Sequence, residues 1–425
     1  QLSIYAGIIA AFALSPRGYR AVASLVRAWL TANSRIELVV DSGQTTFGRR
    51  LELDRPIEVK LHLFQRRRRL LGFPPLGLQP AEQIEAATLT PGIRPYRNAA
   101  QDFPESITNA LSALRKDLRA RRLPVLLHVD LPASAYPWEA ILSLVPLADK
   151  FSPHRGSLEF WRVSLSAAST EKSADSVEVK PLYYELTQPA VASLEKGGVH
   201  IIADSAWRST VIPAWSTLDE AASIDPEPYA IKGLSRAPSI LHLLGKPIQS
   251  GAGVLLSIDS SSEPAYAQKS SFRSDILIEP DELPLDSVEL VIIQLTPAEL
   301  LDFRQDTERE KMGYLRALSA QIAERDVGTV IALPLLSPHL TEAVLMKIVR
   351  SLKKQKVLSV KKMLKVTGEV RRIIASWRPP QASTAEKSEQ IASNGNEFDP
   401  TAYAEVMTEL ALDVSIFIKQ RYSKS

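Results

Sequence analysis

Apolar positions recur along this chain with two periods, and the switches between them mark its elements. From Tyr19 to Leu30, Val22, Leu25, Val26 and Trp29 share one helical face, with Arg20 and Arg27 off it. The period then drops to two in Arg35-Ile-Glu-Leu-Val-Val, in Arg49-Arg-Leu-Glu-Leu and in Ile57-Glu-Val-Lys-Leu-His-Leu, with the turn-like Asp41-Ser-Gly between the first two. Residues 1–70 therefore read as a helix plus β-hairpin module. The Pro- and Gly-rich stretch from Gly72 to Pro95 marks residues 71–103 as a linker.

A main domain is expected over residues 104–378. Ile107, Leu111, Leu114 and Leu118 give it a first helical face, and Val125-Leu-Leu-His-Val a first buried strand, followed by the turn Tyr136-Pro-Trp-Glu-Ala-Ile-Leu. Further short apolar runs lie at Phe160 to Leu165, Val199 to Ala203, Ile240 to Leu244, Val254 to Ile258, Leu290 to Ile293 and Thr329 to Leu333. Helical patterns fall between them at Leu218 to Leu234, Tyr314 to Ile322 and Thr341 to Leu352. Continuous apolar strands alternating with helices predict an α/β fold, a three-layer α/β/α sandwich around a mostly parallel sheet. Residues 379–399, rich in Pro, Ser, Gln, Glu and Asn, read as a flexible linker. In residues 400–425, Val406, Leu410, Val414 and Ile418 predict an amphipathic helix from Tyr403 to Tyr422 that docks on the body or on a partner.

Composition narrows the chemistry. The 425 residues contain no cysteine, which excludes disulfides, thiolate metal sites and a cysteine nucleophile, and leans towards the cytosol. The six histidines are scattered, with no HExxH and no His-rich tract, so neither a metal nor another cofactor is expected. A net charge of +3 makes no global case for nucleic acid as a partner. Arg66 to Arg69 and the stretch from Lys347 to Arg378 are basic, and read as solvated faces. The apolar segment Leu2 to Leu14 is shorter than the roughly 20 residues needed to span a bilayer. It reads as a helix packed on its own domain, with an interfacial helix or a trimmed anchor as alternatives, so the expected location is cytoplasmic with membrane contact through this segment kept open.

Two apolar runs end in groups that bear on function. His242-Leu-Leu-Gly-Lys-Pro follows Ser239-Ile-Leu, and Gln294-Leu-Thr-Pro follows Leu290-Val-Ile-Ile. Both fall where ligands gather in open α/β sheets, beyond the carboxyl ends of strands. Together with Tyr136-Pro-Trp-Glu-Ala-Ile-Leu and Val327-Gly-Thr-Val-Ile-Ala-Leu-Pro, they occur in an order that resembles the CHAT domain of the caspase and separase clan. The resemblance covers roughly residues 104–378 and implies a caspase-like fold.

That family uses a histidine at the first strand end and a cysteine at the second, the imidazole taking the thiol proton. The resemblance sets Lys246 at the histidine position and Thr296 at the cysteine position. It sets Pro247 in place of the glycine whose N–H helps to hold the oxyanion, and proline has no N–H. The vestigial site would then comprise His242, Gly245, Lys246, Pro247, Gln294 and Thr296, with no catalytic residue expected. His242 matches the family's noncatalytic histidine and reads as a buried hydrogen-bonding group, while Trp138 and Glu139 read as core packing and a satisfied polar contact. Asp275, Glu279, Asp281 and Glu282 form an acidic cluster that reads as a solvated loop, or as a selector of basic peptides if a groove is retained.

There is no GxxxxGK[ST] and no G-x-S-x-G, so phosphate-loop and nucleophile-elbow chemistry are not supported. The function implied by the resemblance is a catalytically inactive CHAT-like pseudoprotease, a protein-interaction or regulatory module of a bacterial signalling or conflict system. Its expected partner is a protein or peptide, such as an active protease or a sensor. The alternatives are a hydrolase using Thr296 with Lys246, and a membrane- or nucleic-acid-associated scaffold.

Overall fold

In a computed structural model of the chain, the described residues are 35–42, 56–66, 83–89, 104–107, 109, 125–129, 131–139, 160–164, 197–225, 227, 238–250, 253–258, 276–283, 285, 288–296, 305–323, 325, 327–354, 360–377 and 400–418. The strands are β1 (Arg35–Asp41), β2 (Ile57–Arg66), β3 (Gln83–Leu89), β4 (Val125–Val129), β5 (Phe160–Ser164), β6 (Val199–Ile202), β7 (Ser223–Asp225), β8 (Ile240–Ser250), β9 (Gly253–Ile258), β10 (Ile276–Ile278), β11 (Leu290–Leu295), β12 (Thr329–Leu333) and β13 (Ser415–Ile418). The helices are the single turn α1 (Leu131–Ser134), then α2 (Arg208–Ser216), α3 (Gln305–Ala323), α4 (Pro338–Lys354), α5 (Val360–Ser376) and α6 (Pro400–Asp413).

All thirteen strands belong to one mixed, mostly parallel sheet, so the fold is α/β. Its main path runs β7-β6-β8-β11-β12-β13-β5-β4-β1-β2-β3, and β9 and β10 extend it from the second half of β8. The path consists of two blocks. Strands β7, β6, β8, β11 and β12 are mutually parallel, as are β13, β5, β4 and β1. The blocks run in opposite directions because β13 pairs antiparallel with β12.

Residues 290–295 and 329–333 are buried at every position, as expected of strands covered on both faces. On one face, Leu241, Leu243, Val291 and Ile293 pack against Leu315, Leu318 and Ile322 of α3. On the other, Ile240, Leu244, Leu290 and Ile292 meet α2, α4, α5 and α6 through such residues as Trp215, Val344, Val370 and Ala411. Helices on both faces make three layers.

The structure departs from the sequence expectations in four places. The expected amino-terminal hairpin module is continuous with the main sheet, since β1 pairs parallel with β4 from Ile36↔Val125 to Val40↔Val129. Within the expected linker, β3 pairs with β2; residues 83–89 hold neither Pro nor Gly, although their surroundings are rich in both. The helix expected over Leu218 to Leu234 is absent from residues 223–225, which form β7. Pro226 follows directly, and a residue before proline is driven from helical to extended backbone. The last helix ends at Asp413, and residues 415–418 form a strand. Val414, Ser415, Ile416 and Phe417 are all buried, which one face of a helix does not allow. Leu2 to Leu14, Arg67 to Arg69 and residues 379–399 lie outside the described residues. No helix among the described residues is long and apolar enough to cross a membrane.

Candidate functional site

The two runs singled out in the sequence lie side by side. Strands β8 and β11 pair in parallel register from Ile240↔Leu290 to Gly245↔Leu295, and the Thr296 N–H donates to the Gly245 carbonyl at 3.2 Å. Side chains alternate along a strand. His242, Leu244 and Lys246 therefore project to the α2 and α4 face, in columns beside Ile292, Gln294 and Thr296. All six expected site residues belong to this pair of strands or to the position just after it.

One expectation about this site is corrected. The segment His242 to Pro247 is not a strand end, because β8 continues to Ser250. Beyond Gly245 it turns to a new neighbour, pairing antiparallel with β9 as Lys246↔Ser257 and Pro247↔Leu256. Gly245 is required at that crossing: a Cβ there would lie 2.7 Å from the Ser257 carbonyl oxygen and 2.9 Å from the Leu256 side chain. The glycine thus serves the packing of a hairpin. Pro247, lacking an N–H, sits where neither β6 nor β11 still pairs with β8.

His242 is fully buried. The indole N–H of Trp215 donates to its Nδ1 at 3.2 Å, with the rings edge to face at 6.0 Å. Since Nδ1 accepts, the ring proton sits on Nε2. Burial lowers the His242 pKa to about 3, only partly opposed by the nearby Gln294 side chain. The Gln294 amide nitrogen donates to the Thr341 hydroxyl of α4 at 2.7 Å. Among the described residues His242 Nε2 and Gln294 Oε1 have no hydrogen-bond partner, so the influence of Gln294 on the ring acts across a gap longer than a hydrogen bond. His242 and Gln294 are thereby committed to the core between the sheet, α2 and α4.

Lys246 and Thr296 are half-buried. No hydrogen bond joins them among the described residues, and no carboxylate or imidazole is hydrogen-bonded to either. A threonine hydroxyl without a base in hydrogen-bond reach is not an activated nucleophile. Pro297, Glu299 and Asp302 lie outside the described residues.

The remaining candidates sit elsewhere. Strand β4 runs against β8 and β11, so its end at Val129 lies at the opposite sheet edge from Gly245 and Leu295. In the turn that follows, Trp138 is fully buried, donates its indole N–H to the Ala133 carbonyl at 2.8 Å and packs on Tyr136 with centroids 4.7 Å apart. Glu139 is buried beside it. In the acidic cluster, Glu279 and Glu282 form a reciprocal cap around the turn Pro280–Glu282, and Asp281 pairs with Arg325; Asp275 is outside the described residues. In the basic stretch, Lys347 pairs with Glu369 at 2.6 Å, holding that carboxyl below its usual range, chiefly through their hydrogen bond. Lys353 donates to the Thr217 carbonyl at 3.2 Å. His339 is exposed on the first turn of α4.

Two polar clusters were not legible beforehand. His200 Nδ1 is 2.9 Å from the Ser223 hydroxyl, and burial lowers the His200 pKa against the raising influence of Asp225. These residues meet because β6 and β7 pair as His200↔Ser223, and nothing in their sequence spacing announces it. His200 is only 2% exposed, which makes the contact an internal brace between strands. In the second cluster, the fully buried guanidinium of Arg316 on α3 bonds the Asp413 carboxylate and donates to the Ala135 carbonyl at 3.2 Å. From the other side of the sheet, Arg371 on α5 donates through Nε to the Val414 carbonyl at 3.2 Å.

Among the described residues no group of three or more His, Cys, Asp or Glu could hold a metal ion. Neither a protein-family model nor any curated protein matches the chain.

Proposed function

We propose that the chain is a catalytically inactive, CHAT-like pseudoprotease that acts as a protein-interaction or regulatory module in a bacterial signalling or conflict system. The observation that carries the reading is the junction of β8 and β11. The register Gly245↔Leu295, continued by the bond from the Thr296 N–H to the Gly245 carbonyl, brings together the two positions that the resemblance pairs. Those positions hold Lys246 and Thr296, with no hydrogen bond between them, and the chain has no cysteine. Pro247 removes a backbone donor that an oxyanion would need. The resemblance over residues 104–378 also takes in β4, β5 and the Tyr136-Pro-Trp-Glu turn, but β4 and β5 run against β8 and β11, so the caspase-like part of the proposal rests on the block β7-β6-β8-β11-β12 alone. The partner expected at this surface is a protein or peptide.

The test is incubation with peptide libraries and acyl-transfer probes. No turnover is expected from the wild-type chain or from the double variant Lys246→His, Thr296→Cys. Turnover by the wild-type chain that is abolished by Thr296→Ala or Lys246→Ala would overturn the proposal in favour of a threonine hydrolase.

A further inference from the structure

Charge is spread unevenly along the chain, and the fold gathers the excess on one surface. Residues 338–378, which comprise α4, α5 and the connection between them, hold eleven Lys and Arg against two Glu, although the whole chain carries only +3. The rest of the chain is therefore net acidic. The apolar residues of both helices are committed inward, since Val344, Ile348 and Leu352 of α4 and Met363, Val366, Val370 and Ile374 of α5 are all buried. Arg371 is buried with them, at the Val414 carbonyl. By contrast, Arg350, Lys353, Lys365 and Arg372 are exposed. A contact between the two helices sets these cations side by side. Lys347 reaches across to Glu369 at 2.6 Å, and Arg372 comes within 4.0 Å of the same carboxylate. Residues three and four apart are neighbours on a helix surface. Arg350 thus adjoins Lys347 on α4, Lys353 follows one turn on, and Lys365 and Arg372 flank Glu369 on α5. The charge of Lys365 also helps to hold Glu369 ionised. One carboxylate stands among five cations.

We propose that the outer face of α4 and α5, built on Lys347, Arg350, Lys353, Lys365 and Arg372, is a docking surface for an anionic lipid bilayer. The argument is charge complementarity. A bilayer containing acidic headgroups is a negative plane, and a cluster of Lys and Arg on a helix face is drawn to it within a Debye length. With its apolar residues buried, the face binds by charge rather than by insertion, so docking is reversible. Single-stranded nucleic acid is the weaker match, because it is held by aromatic platforms as well as by cations, and neither helix contains Phe, Tyr or Trp. The sequence also supplies a second signal for lipid: the apolar segment Leu2 to Leu14 is too short to span a bilayer but suited to its interface. A basic patch joined to one apolar anchor is a pairing that holds proteins on membranes. The proposal goes beyond the pseudoprotease reading and does not depend on it.

The experiment sediments the full chain with vesicles of phosphatidylcholine and with vesicles of phosphatidylcholine mixed with phosphatidylserine. Stronger binding to the mixed vesicles is expected, and added salt should reverse the difference between the two. The double variant Arg350→Gln, Lys365→Gln should bind the mixed vesicles about twentyfold more weakly, since each Lys or Arg near the surface contributes about fivefold. Both side chains are exposed, so the variant keeps its fold, which circular dichroism checks. Lys60→Glu makes the same change in net charge at an exposed position of β2, in the other block of the sheet, and should leave binding unchanged. The proposal is overturned if the wild-type chain binds neither kind of vesicle, or binds both equally. It is equally overturned if Lys60→Glu weakens binding as much as the double variant does, or if the chain binds a DNA duplex more tightly than the mixed vesicles.

Discussion

His242 shows how full burial commits a histidine to a structural role. Its neutral ring accepts from Trp215, and protonation would place a charge in a fully buried position. With a folded pKa of about 3 against an ordinary 6.5, both states are neutral at high pH. As pH falls below 6.5, only the unfolded chain takes the proton, so the stabilising contribution is complete above 6.5 and is lost progressively towards pH 3. The slope is about 1.4 kcal/mol per pH unit. In His242→Asn the amide oxygen can still accept from Trp215 but no proton is taken up. Urea denaturation of both proteins between pH 7 and pH 4 should therefore show the variant flatter by about one proton, and equal slopes would contradict the assignment. That His242 is structural was legible from the resemblance; that its partner is Trp215, on a separate helix, was not. Hydrogen bonds across the chain follow from packing, whereas short spacings reveal only local ones.

At the level of elements, buried strands and long amphipathic helices were the legible part. Strands β6, β11 and β12 and helix α4 coincide closely with their apolar runs, whereas α3 begins at Gln305, nine residues ahead of the expected Tyr314. The carboxyl-terminal segment was misread because Val406, Leu410, Val414 and Ile418 satisfy a helical period, while Val414, Ile416 and Ile418 also satisfy a strand's. Tertiary burial decides between the two. The cost of disturbing that choice is set at Asp413. Asp413→Ala leaves the Arg316 guanidinium buried without its carboxylate, and such a loss destabilises by roughly 3–5 kcal/mol. Arg316→Met together with Asp413→Ala removes both charges and should cost clearly less than the sum of the single changes. Denaturant midpoints of the four proteins give the coupling, and strict additivity would show that the two side chains do not act as a pair.

Over the whole molecule, the sheet is mostly parallel, as its alternation of apolar runs and helices suggested, but its division into two opposed blocks left no mark on the sequence. Periodicity reports which residues are buried and is silent on strand direction. The seam at β13 predicts how the protein comes apart. Ile416→Asp, a charge in the middle of the seam, should lower hydrogen-exchange protection in β4 and β5 at denaturant concentrations where β8 and β11 remain protected. Simultaneous loss in all four strands would argue for a single cooperative sheet. The seam also bears on synthesis. Ribosomes deliver the chain from its amino end, so β13 emerges after every other described strand, yet its place is between two of them. A nascent chain therefore holds β12 and β5 with unsatisfied edges until residues 415–418 clear the exit tunnel. During that interval those edges are open to pairing with other chains, and chaperone cover should govern the yield of folded protein.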